Sequence, residues 1–506
     1  MSTIKKMLLV VAACVVCFAL VACKEENNTT NTTTTPTKGE TAATPTPDAG
    51  TNVTPTPTEV LRDLKNLEVI VGDWWSGDDW KLPDTTAVEE ANKEYQEAMM
   101  DKYHYTIKRK TICGWSDQGE TCLNSIMANE PLADIMTFDY RFIAAFMAQD
   151  DPLFIDVAKL GEFDFTDEKW NKVCVDAMTL GGKTFGWGVG VEPRTGIFYN
   201  KDLVSQFLGA DKADYPYELQ ASNEWTWDNF KKLAKDLTKD TNNDGQIDVY
   251  GITMQQSVFF EMAIVSNGHA MVQKDGNKYV STLNSSEVID DCNWAYSFWT
   301  ENLTRRALEG EPWNYFEKMW TKQQSVMIPY DEYKAGEFNG DEKDADGNVI
   351  GKLCDFVYGF VCFPMGPNAK ATGKGYIPVS RENIMVMPNC AAETAKANDV
   401  AFAYNIFTNK APDVAEDKNA WKGSYESLFR DSKAVNETLD IMINKATPYQ
   451  NPTYMVPGLW DNDNGIIQSR LLYNIDAEGQ TPASLIESLN AEYQTALDSF
   501  AEKILK

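Results

Sequence analysis

The chain has 506 residues, long enough for two or more domains, and its apolar fraction of 43% with 14 Trp is that of a globular protein. Its 46 Lys and Arg against 75 Asp and Glu leave a net charge of −29. That argues against nucleic acid, whose phosphates need a basic surface, and against docking on anionic lipid through a polybasic patch.

Residues 1–22 read as a signal peptide: "MSTIKK" is a positive n-region, and "MLLVVAACVVCFALVA" is an apolar stretch too short and too poorly flanked for a stable span. It ends at Leu20-Val21-Ala22-Cys23, which resembles a bacterial lipobox. The resemblance implies cleavage before Cys23 and a diacylglyceryl group on its thiol, two acyl chains being enough for stable anchoring. The competing reading is an ordinary secretory signal with a chance Cys. Residues 23–65 hold almost no large apolar side chain and many Thr-Pro pairs. Such a stretch cannot repay the entropy of ordering and is expected to act as an extended tether, reaching on the order of 100 Å from the membrane. Lipid, tether and globule place the chain on the extracellular face of the cytoplasmic membrane.

The globule is expected to start at "LEVIVGDWW", a buried strand, followed by an amphipathic helix over "DTTAVEEANKEYQEAMMDKY" with Ala91, Tyr95, Met99 and Tyr103 at four-residue spacing. "YTIKRKTI" is a strand, "CLNSIMANE" a short helix and "LADIMTFDY" a buried strand. This alternation predicts an α/β fold with a parallel sheet. Ligands of such sheets bind beyond the C-terminal strand ends, here "DWWSGDDW" and "FDYRF". "GGKTFGWGVGVEPRTGIFYNKDL" reads as hairpin strands leading into a crossing at "GIFYN". A second α/β region opens with the helix "EWTWDNFKKLAKDLTKD", which Thr226 caps and whose face is Phe230, Leu233, Ala234 and Leu237.

The next stretch, "DTNNDGQIDVYG", matches the first nine positions of an EF-hand loop. Asp240, Asn242, Asp244, the carbonyl of Gln246 and Asp248 stand at ligand positions, but the twelfth, which needs a bidentate Glu, is Gly251. A strand rather than a helix follows, so the loop reads either as one structural calcium clip or as a metal-free Asn/Asp/Gly turn. Strands "YGITM" and "SVMIPY" and the run "CDFVYGFVCFPMGP" continue the region, with Trp294, Trp299 and Trp320 near helical spacing and read as core. "NIMVMPNC" and "AAETAKANDVAFAYNIFTN" add a strand and a helix. The end is a helix that Thr481 caps, with Pro482 in its first turn and Leu485, Leu489 and Tyr493 on one face.

Of the ten Cys, Cys14 and Cys17 leave with the signal and Cys23 would carry lipid. The remaining seven are irregularly spaced with no C-x-x-C, which argues against zinc; buried free thiols are the default reading, and Cys113 with Cys122 is the one pair to test as a disulfide. With two His, no G-x-S-x-G, no H-E-x-x-H and no dinucleotide fingerprint, no catalytic motif or organic cofactor is indicated.

Taken in order, "DIMTFDYRF", "GGKTFGW", "GIFYNKDL", "EWTWDNFKKLAKDLT", "DTNNDGQIDVYGI", "SVMIPY", "FPMGP" and the Pro-capped last helix resemble family 1 of the extracellular solute-binding proteins, receptors of ABC importers related to the maltose-binding protein. The resemblance covers nearly all of residues 66–506, and the middle, about 270–375, is longer than in compact members. It implies a two-lobe periplasmic-binding-protein-like type II fold: one lobe from 66–196 and 380–445, the other from 197–379 and 446–506, hinged around a ligand cleft. It further implies a non-enzymatic monomer that captures a carbohydrate, an oligosaccharide, and hands it to transmembrane permease subunits. By position it points to Trp74 and Trp75 after the first strand and to Gln256, Tyr333 and Trp460. It also points to Asp139 and Arg141 as a hydroxyl-binding pair, one residue off the usual spacing. For each Trp the competing reading is core packing. A surface-anchored glycoside hydrolase, and a receptor of this fold for a non-sugar solute such as a peptide, are the alternative functions.

Overall fold

Eight short apolar segments supply the strands of two sheets: β1 (Leu67–Asp73), β2 (Tyr105–Thr111), β3 (Ile135–Phe138), β4 (Gly196–Asn200), β5 (Tyr250–Ile252), β6 (Ser325–Tyr330), β7 (Tyr358–Cys362) and β8 (Ile384–Val386). They belong to a computed structural model that describes residues 61–504 apart from 150, 277, 345, 382, 462–463 and 476–478. The signal peptide, Cys23 and most of the expected tether lie outside the described residues. Tether residues 61–65 lie inside them and are packed rather than loose. Leu64 is buried, and Arg62 pairs with Glu162 at 2.8 Å and Asp399 at 2.7 Å.

The first sheet runs β8-β3-β1-β2 and the second β7-β4-β6-β5. As the strand–helix alternation predicts, β1 is parallel to β2 and to β3, while β8 closes the edge antiparallel. In the second sheet β5 is parallel to β6, and β4 runs antiparallel to both β6 and β7. A sheet fed by returning crossings can be mixed, because those strands arrive from the other lobe.

Seven helices matter most here: α1 (Ala87–Tyr103), α2 (Tyr140–Met147), α3 (Trp227–Leu237), α4 (Gln256–Ser266), α5 (Ser286–Thr300), α6 (Ala397–Phe407) and α7 (Pro482–Ile504). Helix α1 starts in a full capping box between Thr86 and Glu89. Its Ala91 and Tyr95 pack on Ala411, Val414 and Ala420. Helix α3 is capped by Thr226 and buries Phe230, Leu233, Ala234 and Leu237. Trp294 of α5 stacks on Trp227 with ring centroids 4.0 Å apart, and Trp299 and Trp320 are buried, so these tryptophans build the core of the second lobe. Among the described residues no helix is long and apolar enough to cross a membrane.

The chain passes between the sheets after β3, after β7 and after α6. The last passage departs from the expected lobe boundaries, which placed residues up to 445 in the first lobe. Arg430 donates to the carbonyls of Cys354 and Phe356, Lys201 pairs with Asp431 at 2.7 Å, and Thr438 donates to the Phe360 carbonyl at 2.7 Å. The stretch 430–438 thus covers β7 of the second sheet. Apolar side chains such as Val435 and Leu439, both fully buried, hold it there.

Candidate functional site

A cleft of about 600 Å³ opens where the C-terminal ends of β1 and β3 face the segment after β6. Its first wall begins at Asp73, whose buried carboxylate accepts the backbone N–H of Trp75 at 2.9 Å and of Ser76 at 2.8 Å. This turns the chain sharply off the strand and leaves Trp75 half exposed, with Trp74 edge-on to it at 4.5 Å. The opposite wall is "YDEY": Tyr330 ends β6, and Asp331, Glu332 and Tyr333 follow it into the cleft.

After β3, Asp139 caps α2 and accepts from the backbone N–H of Arg141 at 3.0 Å. The Arg141 guanidinium doubles back onto the same carboxylate through Nε at 2.8 Å and Nη2 at 2.6 Å, and Trp115 Nε1 adds a fourth bond at 3.3 Å. Burial opposes ionisation of Asp139, but Arg141 outweighs it and holds the carboxyl below the usual range. The guanidinium also lies over the Trp115 ring, 4.7 Å from its centroid. Both carboxylate oxygens are engaged in bonds to Arg141 and Trp115, so a ligand hydroxyl here is best met by the guanidinium's remaining N–H groups.

The floor is an ion network drawn from the second lobe and the passages between the lobes. Arg381, just before β8, donates to Thr195 Oγ1 at 2.8 Å and lies 3.3 Å from Glu261 of α4 and 3.6 Å from Asp331. Thr195 in turn donates its backbone N–H to Asp331 at 3.1 Å, and its hydroxyl to the same oxygen. Tyr454 donates to Glu261 at 2.6 Å. Against its burial, Asp331 is held below the usual carboxylate range by Arg381 and Arg194, whereas burial raises Glu261 despite Arg381.

Glu332 stands apart. It is 3% exposed, its Oε2 has no hydrogen-bond partner among the described residues, and its Oε1 is 3.7 Å from Arg194. Burial pushes its carboxyl up to about 8, against the pull of Arg194. The unfolded chain releases that proton near the ordinary glutamate value of 4.5. The folded state therefore holds an extra proton between the two values, and stability falls as pH rises through that window. Glu332→Gln is expected to remove roughly 2–4 kcal/mol of that fall, read from denaturation midpoints at about pH 5 and about pH 8.5.

The model of the family described as bacterial extracellular solute-binding protein matches residues 85–404. The chain belongs to that family. Comparison with curated proteins finds no match. Solved structures share the fold of this solute-binding protein. An ABC substrate-binding protein from Listeria monocytogenes in complex with cycloalternan has a TM-score of 0.54 at 15% identity, covering 86% of this chain and 98% of its own. The GacH receptor of Streptomyces glaucescens, solved unliganded and with acarbose, has a TM-score of 0.54 at 13% identity, covering 86% and 99%. The cyclic alpha-maltosyl-1,6-maltose binding protein from Arthrobacter globiformis has 0.52 at 16%, covering 86% and 99%. The architecture is accordingly the two-lobe periplasmic-binding fold.

Of the residues singled out from sequence, Trp74, Trp75, Asp139, Arg141 and Tyr333 line the cleft of this solute-binding protein. Two others do not. Gln256 turns away and donates to the Ile475 carbonyl, while its neighbour Gln255, the residue before α4, faces the cleft. One position on a helix rotates a side chain by about 100°, so an offset of one is enough to miss. Trp460 is 2% exposed, donates to Thr453 Oγ1 at 2.8 Å and packs edge-on to Tyr454. It lies behind Tyr140, which itself lines the cleft, and so supports the wall rather than forming it.

The acidic loop is held by its own hydrogen bonds. Asp240 accepts the N–H groups of Asn243 at 2.7 Å and Gly245 at 2.8 Å, Asp244 accepts that of Gln246 at 2.8 Å, and Asp248 accepts Thr241 at 2.7 Å. Among the described residues no group of three or more His, Cys, Asp or Glu is placed to hold a metal ion. The glycine at the twelfth position has a packing reason. A Cβ on Gly251 would stand 2.0 Å from the Ala234 carbonyl oxygen, so only glycine lets β5 run this close to α3.

Proposed function

We propose that this solute-binding protein captures a carbohydrate, an oligosaccharide, in the cleft between its lobes and delivers it to the permease of an ABC importer. In this reading it is a monomer held on the extracellular face of the cytoplasmic membrane by lipid on Cys23. The observation that carries the proposal is the pairing of half-exposed aromatic rings from opposite walls, Trp75 and Tyr333, beside charged groups. Sugar rings offer apolar C–H faces to such aromatics and hydroxyls to such charges. A volume near 600 Å³ suits more than one sugar unit. The relatives solved with cycloalternan and acarbose support the same ligand class.

A thermal-shift screen across linear and cyclic oligosaccharides tests it. A sugar that raises the melting temperature and is recovered uncut supports capture. Turnover would make the protein a hydrolase, and stabilisation by peptides alone would reassign the ligand.

Calcium at Asp240, Asn242, Asp244, Gln246 and Asp248 is a separate proposal that rests on ligand spacing alone. Calcium added to chelator-stripped protein is then expected to raise the melting temperature by several degrees. A shift of less than about 1 °C would mean a metal-free turn that closes on its own bonds.

A further inference from the structure

The segment after β2 carries two cysteines whose sulfurs meet. Cys113, half-buried, lies just past the strand, and Cys122, fully buried, lies in the short helical turn that follows. Their Sγ atoms are 3.7 Å apart. A disulfide requires a separation of about 2.05 Å, a difference that small side-chain rotations cover without moving the backbone far. The residues between them are not idle. Trp115 lines the cleft and donates to Asp139, and Gln118, fully buried, donates to the Trp115 carbonyl at 3.0 Å while accepting the Asp139 N–H at 2.9 Å.

We infer that Cys113 and Cys122 are joined by a disulfide in the mature protein, and that this bond fixes the Trp115–Gln118 segment against the Asp139–Arg141 pair. Members of an extracellular family meet oxidising conditions, where neighbouring thiols are not kept reduced. The chemistry assigns an order. Hydrogen bonding from Cys122 lowers the Cys113 thiol below its ordinary range, whereas the Cys113 hydrogen bond and burial raise that of Cys122. Cys113, the more accessible, is therefore the first nucleophile. Its thiolate attacks one sulfur of a small-molecule disulfide and expels one thiolate. The Cys122 thiolate then attacks the Cys113 sulfur of the mixed disulfide and expels the second. Two protein thiols are oxidised, the small disulfide is reduced to two thiols, and the protons lost by the cysteines end on the two leaving groups.

The test uses the whole protein, prepared without reductant and exposed to oxidised glutathione. A protease that cuts after Glu separates the two cysteines at Glu120. The expected result is that their peptides stay joined, lighter by two hydrogen atoms, and part on reduction. Cys113→Ser and Cys122→Ser each abolish the linkage. Amide exchange across 114–121 is expected to slow by about tenfold in the oxidised protein, and the melting temperature to rise by about 5 °C. Peptides recovered unlinked, or with glutathione left on Cys113, would overturn the bond. A linkage that leaves exchange unchanged would overturn its role in holding the wall. Both readouts are ligand-free, so their failure would leave the carbohydrate proposal standing.

Discussion

Trp75→Ala combined with Tyr333→Ala is expected to weaken oligosaccharide binding by roughly 30- to 300-fold while moving the melting temperature of the free protein by only about 1 °C. The two halves of that expectation have separate causes. Trp75 is 50% exposed and Tyr333 43% exposed, so little apolar area is lost from the interior when either ring is cut back. The backbone under Trp75 is held by Asp73 rather than by the indole, and its geometry survives the substitution. A sugar closed between the lobes, by contrast, loses a stacking face on each side. Titration calorimetry of the double variant checks the first half and a melting curve the second. An affinity within twofold of the original protein would place the ligand elsewhere.

Arg381→Met is expected to cost about 3–5 kcal/mol of stability near neutral pH, seen as a melting temperature lower by roughly 5–10 °C. Arg381 is the cation shared by Glu261 and Asp331; Arg381 and Glu261 are buried, and the Asp331 side chain is 15% exposed. Removing it leaves two carboxylates facing one another in a low-dielectric floor, and such orphaned charges cost more than the pair itself was worth. The deficit should shrink as pH falls, since the carboxyls then take up protons instead of remaining as buried charges. A loss that is flat with pH would mean that the guanidinium acts by packing rather than by charge. Because Arg381 sits on a passage between the lobes, the same variant should also bind ligand less tightly.

The sequence carried the strands and helices well because their apolar periodicity is local. The run "LEVIVGD", the Thr86 capping box and the Phe230–Leu237 face are each decided within a few residues. Strand ends pointed to "DWWSGDDW" and "FDYRF" for the same reason, since in an α/β sheet the loop after a strand is where the cleft must be, and the family resemblance singled out Trp74, Trp75, Asp139 and Arg141 within them. That rule, applied to β6, would have marked Asp331 and Glu332 along with Tyr333. The floor was harder to see. Arg381 meets Glu261 across a long separation in sequence, and nothing in "VSRENI" announces a buried cation. Nor does "PGLW" say that Trp460 packs behind Tyr140 instead of beside a sugar; only the passage of chain around it decides that. The loop at 240–248 shows the reverse case, where a local pattern suggests more than the packing supplies. Gly251 stands there because β5 has to pass the Ala234 carbonyl, whatever the preceding ligands do.

Whether the cleft takes one oligosaccharide between its walls is decided by calorimetric titration of the protein with a panel of linear and cyclic gluco-oligosaccharides. Each ligand is afterwards recovered and checked for cleavage. At least one sugar is expected to bind at one per chain with a dissociation constant of about 1 μM or tighter and to be returned intact. Saturable binding of none of them, or binding followed by cleavage, would contradict it.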